Sequence, residues 1–146
     1  MILYTIGFTK KSAQAFFELI KANKIETVVD IRLNNSSQLA GFSKGADLAY
    51  FLPEICGCAY RYEPLFAPTK GLMDDFKAKR LSAAQFEADY RQLMYARNAL
   101  ARYEKEYGGT GNCCLLCSED TPEHCHRRVL AEMIAGNAPL TTIEHI

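Results

Sequence analysis

Short apolar runs alternate with helix-period segments along almost the whole chain, and that alternation constrains the fold more than any other feature. Ile2-Leu3-Tyr4-Thr5-Ile6 reads as a buried strand closed by Gly7. Ser12 is placed to cap a helix running to about Asn23, with Phe16, Leu19 and Ile20 on its apolar face. Glu26–Ile31 forms a second strand. Residues from Arg32 to Gly45 make a long loop rich in Asn, Ser, Gly and Lys, a candidate lid or binding loop because it exceeds the usual connection. A helix from about Ala46 is ended near Pro53, and Cys58–Tyr62 is a third strand. An irregular stretch around Pro64 and Pro68 follows.

Ser82-Ala83-Ala84-Gln85 has the form of a capping box and opens a long helix carrying Phe86, Tyr90, Leu93, Met94, Leu100 and Ala101. Gly108-Gly109 ends it. Asn112–Cys117 is a fourth strand. Thr121 as N-cap and Pro122 as first helical residue open a last helix to about Ala135, stopped by Gly136. Thr142–Ile146 is a terminal strand. This order predicts a single α/β domain of three layers, with a mostly parallel sheet of about five strands and helices on both faces. Right-handed crossovers then gather the carboxyl ends of the strands at one edge. Gly7, Asp30, Arg32, Glu63, Cys117 and Glu119 should meet there.

The totals narrow the class of function. The chain has 146 residues, 49% hydrophobic and 23% charged, which suits one soluble core. Lys+Arg and Asp+Glu are both 17, so nucleic acid is not coated by charge alone and any binding is local and weak. No run approaches a membrane span, and apolar Met1–Ile6 is too short for a signal h-region and carries no basic n-region. The six cysteines, at 56, 58, 113, 114, 117 and 125, do not have the spacing of a disulfide framework. Reduced thiols and a cytoplasmic location are expected. The sequence is silent on oligomeric state.

Candidate chemistry concentrates in Leu115–Arg128. Cys117 ends a strand near a helix start and an arginine, both of which favour thiolate; the alternative is a small buried hydrophobe. Glu119 is a candidate general base or hydroxyl acceptor, whereas Asp120 reads as a solvated loop carboxylate. His126 falls on the centre line of the face made by Val129, Leu130, Met133 and Ile134, so it should point inward beneath the strand ends. Cys125 sits on the flank of that face and reads as packing. His124 and Arg128 read as solvated.

Arg127 and Arg32 at one sheet edge suggest a site for phosphate or carboxylate, set against structural ion pairs with Asp30 or Glu119. The C-x7-C-H spacing is not that of a zinc finger or ribbon, so no metal site is assigned. No cofactor is identified, although a catalytic divalent metal on Cys, Glu and His stays open. Gly108-Gly109-Thr110-Gly111 precedes a strand and lacks a phosphate-loop ending. A wrapped cysteine–anion loop would place its arginine about six residues after the thiol, nearer than Arg127.

The segments Thr5-Ile6-Gly7, Val29-Asp30-Ile31-Arg32, Gly41-Phe42-Ser43-Lys44, Tyr60–Pro64 and Leu115–Glu119 with Cys125-His126-Arg127 resemble the domain of unknown function 488 family, in order along nearly the whole chain. The resemblance implies a small bacterial or archaeal α/β domain. It raises Gly7, Asp30, Arg32, Cys117, Glu119, His126 and Arg127 together as site residues, and adds Phe42, Ser43 and Lys44. Where relatives carry a Leu-Gly-Gly segment, this chain has Leu65-Phe66-Ala67-Pro68.

Two functions follow as expectations. One is a small enzyme acting on a phosphate-bearing substrate, a nucleotide or nucleic-acid end. Cys117, Glu119 and His126 would be catalytic, with Gly7, Asp30, Arg32, Ser43, Lys44 and Arg127 holding the small anionic ligand. The other is a non-catalytic ligand- or nucleic-acid-binding module in which the same cluster is structural.

Overall fold

Five parallel strands form one sheet in the order β3-β2-β4-β1-β5 in the computed structural model, which describes residues 1–36, 41–119 and 121–146. The strands are β1 (Ile2–Gly7), β2 (Thr27–Asp30), β3 (Ala59–Tyr62), β4 (Cys113–Cys117) and β5 (Thr142–His145). The helices are α1 (Ala13–Ala22), α2 (Gly45–Phe51), α3 (Lys70–Lys77), α4 (Ala83–Ala96), α5 (Ala99–Tyr107) and α6 (His126–Asn137). The expected mostly parallel sheet is parallel throughout. Among the described residues, no helix is long and apolar enough to cross a membrane.

The two faces of the sheet are covered by different helices, because strand residues alternate in direction. Leu3, Val29, Cys113 and Leu115 pack with Tyr90, Met94, Tyr103 and Leu130 of α4, α5 and α6. Tyr4, Ile6, Val28, Cys114 and Leu116 pack with Phe16, Ile20 and Leu48 of α1 and α2. Thr5, Gly7 and Cys117 share the parity of the first set, which turns them toward α6.

Strand order also locates a crevice. From β1 the chain moves through α1 to β2 and β3 on one side. It returns to β4 and then crosses through α6 to β5 on the other. Connections therefore diverge between β1 and β4, a topological switch point where Gly7 pairs with Cys117 at the carboxyl end.

Local chemistry explains most element boundaries. Ser12 Oγ accepts from Ala15 N at 3.0 Å and caps α1. Ser82 Oγ accepts from Gln85 N at 3.1 Å, but Gln85 donates to Asp89 at 2.9 Å instead of returning to the cap, so half of the expected capping box forms. The long helix expected from Phe86 to Ala101 is two helices. Asn98 adopts φ 55° between them, a left-handed conformation that Asn tolerates better than most residues. An unforeseen helix, α3, begins as the irregular stretch ends near Gly71 and starts where Thr69 accepts from Leu72 N at 3.1 Å.

The start of the last helix differs from expectation. Cys125 N donates to the Pro122 carbonyl at 3.1 Å, closing a tight turn, and α6 begins at His126 with Cys125 in the N-cap position. Thr121 is exposed and does not cap the helix, which also runs through Gly136 to Asn137. Thr121→Ala should therefore change stability by less than about 0.5 kcal/mol in denaturant melts, whereas loss of a true cap costs about 1 kcal/mol. In the long loop, residues 37–40 lie outside the described residues, as does Asp120.

Candidate active site at the switch point

Cys117 ends β4, and Cys125 and His126 open α6 directly across the intervening turn. One ligand-capable atom from each, the two sulfurs and a ring nitrogen, lies within 4.8 Å of the other two. Cys117 Sγ is 3.8 Å from His126 Nδ1. The ring is held from its far side, where Nε2 lies 2.8 Å from the Ile31 carbonyl and donates to it. Tyr90 packs on the imidazole with ring centroids 5.5 Å apart. The inward direction expected for His126 is what places it here.

Electrostatics within this trio are polarised. Burial alone would push the Cys117 thiol up, but the hydrogen bond from Cys125 and the adjacent His126 outweigh it and hold Cys117 well below the ordinary thiol range. Burial pushes Cys125 up, and its hydrogen bond to Cys117 adds to this, so Cys125 keeps its proton. Burial lowers His126, but the neighbouring Cys117 sulfur and the Ile31 carbonyl carry it above the ordinary imidazole value. The geometry suits a Cys117 thiolate accepting from Cys125 Sγ–H and from a doubly protonated His126. Cys125, expected to serve packing only, belongs to this cluster. Its signal was its position immediately before an inward-facing histidine at a helix start.

A second group adjoins the first. Arg127 is fully buried; its Nε donates to Thr5 Oγ1 at 3.2 Å and its Nη1 to the Glu119 carbonyl. Thr5 Oγ1 in turn lies in hydrogen-bond contact with His145 Nδ1 at 2.6 Å. Burial, with Arg127 and Arg128 nearby, pushes His145 down and keeps that ring neutral. The Glu119 carbonyl sits over Gly7, while the Glu119 side chain is exposed. Thr5 was missed in the sequence, although a lone hydroxyl inside an apolar strand is a usable signal.

Asp30 and Arg32 form a third group, joined to the first through Ile31. Arg32 Nε and Nη2 each donate to Asp30 at 2.8 Å, and Asp30 also accepts from Tyr60 Oη at 2.6 Å. Burial and the hydrogen bond to Asp30 push the Tyr60 phenol up, so it remains a donor. The guanidinium lies 5.3 Å from the Phe8 ring centroid, and Arg32 Nη1 is buried with no hydrogen-bond partner among the described residues. Ser43 is buried and Lys44 half-buried at the start of α2. That segment is tied to the Asp30 group, since Gly45 N donates to the Asn35 carbonyl at 2.6 Å and Asn35 to Tyr60 at 3.3 Å.

Some expected members stand apart. Glu63, at the end of β3, accepts from Tyr107 at 2.7 Å and Arg102 at 3.0 Å and serves the α5 side of the core. Arg128, expected in solvent, is half-buried and paired with Glu87 and Glu132. The cluster itself is covered: Cys117 is 4% exposed, Cys125 2% and His126 5%. A hollow of about 10 Å³ between Phe86, His124 and Cys125 has room for one water at most. Larger concavities of about 420 and 500 Å³ lie elsewhere, beside Met1 and Leu140 and between α1 and Phe51.

The chain is a parallel α/β domain whose thiol–imidazole cluster lies at the switch point, on the carboxyl edge of the sheet. The family model "Domain of unknown function DUF488" matches residues 12–134, and the chain belongs to that family. No curated protein and no solved structure matches it.

Proposed function

We propose that the protein is an enzyme acting on a phosphate-bearing substrate, a nucleotide or nucleic-acid end, at the carboxyl edge of β1 and β4. The observation that carries this reading is the 3.8 Å approach of Cys117 Sγ to a His126 ring fixed by the Ile31 carbonyl. A sulfur and an orientable imidazole held on the ends of rigid elements form a constellation suited to nucleophilic or acid–base work. Glu119, two residues on and exposed, is the group that exchanges protons with solvent. Arg32 Nη1 and Lys44 are the proposed contacts for the anion. Arg127 positions the 117–119 backbone through the Glu119 carbonyl.

A panel of nucleotides and oligonucleotides, tried with and without divalent metal, tests the proposal by turnover and by melting temperature. Cys117→Ser and His126→Gln should each lower turnover by about 10²-fold or more while the fold is kept. If no compound turns over or raises the melting temperature, the enzyme reading fails.

The low exposure of Cys117 and His126 favours a second reading, a binding module with a structural cluster. Oligonucleotide affinity that weakens with salt yet survives Glu119→Gln and Cys117→Ser would select it.

A further inference from the structure

We propose that Cys117, Cys125 and His126 hold one thiophilic divalent cation of the zinc class, bound through the two Sγ atoms and His126 Nδ1. Tetrahedral zinc with Zn–S near 2.3 Å and Zn–N near 2.0 Å needs about 3.6 Å between sulfur and nitrogen and about 3.8 Å between sulfurs. The Cys117–His126 distance is 3.8 Å, and all three donor atoms lie within 4.8 Å of one another. Closing on an ion thus asks for movements of less than about 1 Å, well below the span of a rotamer change.

The orientation of His126 is the second argument. Its Nε2 donates to the Ile31 carbonyl, which leaves Nδ1 turned toward the sulfurs. A metal-bound histidine almost always donates its other ring nitrogen to a carbonyl or carboxylate in this way. The third argument is chemical. Two thiol sulfurs and an imidazole are a soft donor set, which selects zinc over magnesium or calcium. The site is also buried, since each of the three residues is at most 5% exposed. Two thiolates and a neutral imidazole there would need a counter-charge, which the cation provides; binding releases the protons of Cys125 Sγ and His126 Nδ1 to solvent.

The C-x7-C-H spacing looks wrong for zinc only when read along the chain. The strand end supplies one donor and the helix start two, and the turn at 122–125 folds them together. With three protein donors, the fourth coordination position is open to water or a substrate oxygen, the pattern of catalytic zinc sites. With the ion bound, Cys117 and His126 act as ligands in place of the nucleophilic or acid–base roles proposed above, and only the open fourth position rests on the enzyme reading; cation binding stands on the donor geometry alone.

The test is metal analysis of the full chain purified under reductant without chelator, followed by stripping and titration with Zn²⁺ and Co²⁺. Expected are a single zinc per chain, a thiolate-to-cobalt charge-transfer band in the near ultraviolet, and a melting temperature raised by roughly 10 °C on zinc addition. Cys117→Ser and Cys125→Ser should abolish the cobalt band, whereas Cys114→Ala, on the opposite face of the sheet, should keep it. The proposal is overturned if the reduced wild-type chain takes up neither ion in stoichiometric amount. It is equally overturned if the cobalt band survives in folded Cys117→Ser and Cys125→Ser. Turnover by a stripped chain that binds no ion would end this proposal and leave the enzyme standing. A bound ion with no turnover of any phosphate compound would do the reverse.

Discussion

Gly7→Ala is expected to destabilise the protein by about 3 kcal/mol, the upper range for forcing atoms into a packed site. An added Cβ would overlap the Glu119 carbonyl oxygen and come within 2.7 Å of Arg127 Nη1. Neither neighbour can yield cheaply. The carbonyl accepts from Arg127, and Arg127 is itself fully buried and bonded to Thr5. Relief would have to lift the 117–119 backbone, and with it the β4 end that carries Cys117. The measurement is the urea midpoint at unchanged slope. Gly136→Ala is the matched control. Gly136 lies inside α6 with nothing within 4 Å of an added Cβ, so that change should add about 0.5–1 kcal/mol. Equal effects at the two positions would show that the Glu119 carbonyl is not packed on Gly7.

Asp30→Ala should cost about 3–5 kcal/mol, because it strands the buried Arg32 guanidinium without its counter-charge. Asp30 is 0% exposed and Arg32 2%, and two of the three guanidinium nitrogens are spent on Asp30. Tyr60 loses its acceptor in the same step. The double variant Asp30→Ala with Arg32→Met should recover more than half of the loss, since removing both charges is far cheaper than removing one. A double variant no more stable than Asp30→Ala alone would mean that Arg32 gains little from this pair. It is also the cleanest way to separate Arg32 as a structural cation from Arg32 as an anion contact.

The order of strands and helices was legible in the sequence because strand and helix periods differ and caps such as Ser12 act within one turn. Boundaries set by competition were less legible. Thr121-Pro122 has the chemistry of a helix start, yet the Pro122 carbonyl is used to close a turn and the helix begins four residues later. Asn98 sits in an apolar helical pattern and still breaks it by taking a left-handed conformation. Among site residues, His126 could be aimed from helical periodicity alone. Cys125 could not, because its neighbours come from β4, which periodicity along α6 does not see.

By itself the sequence determined the parallel α/β class, the edge of the sheet where polar groups gather, and the inward face of the last helix. These depend on local periodicity and on the right-handedness of crossovers. Only the tertiary structure decided that Cys125 joins Cys117 and His126, that the Arg32 fork is spent on Asp30, and that the Glu119 backbone rather than its carboxylate meets Arg127. The first and last depend on how α6 packs back against the end of β4, which brings residues eight or nine positions apart within reach; the Arg32 fork spans two residues and depends on burial of the β2 end.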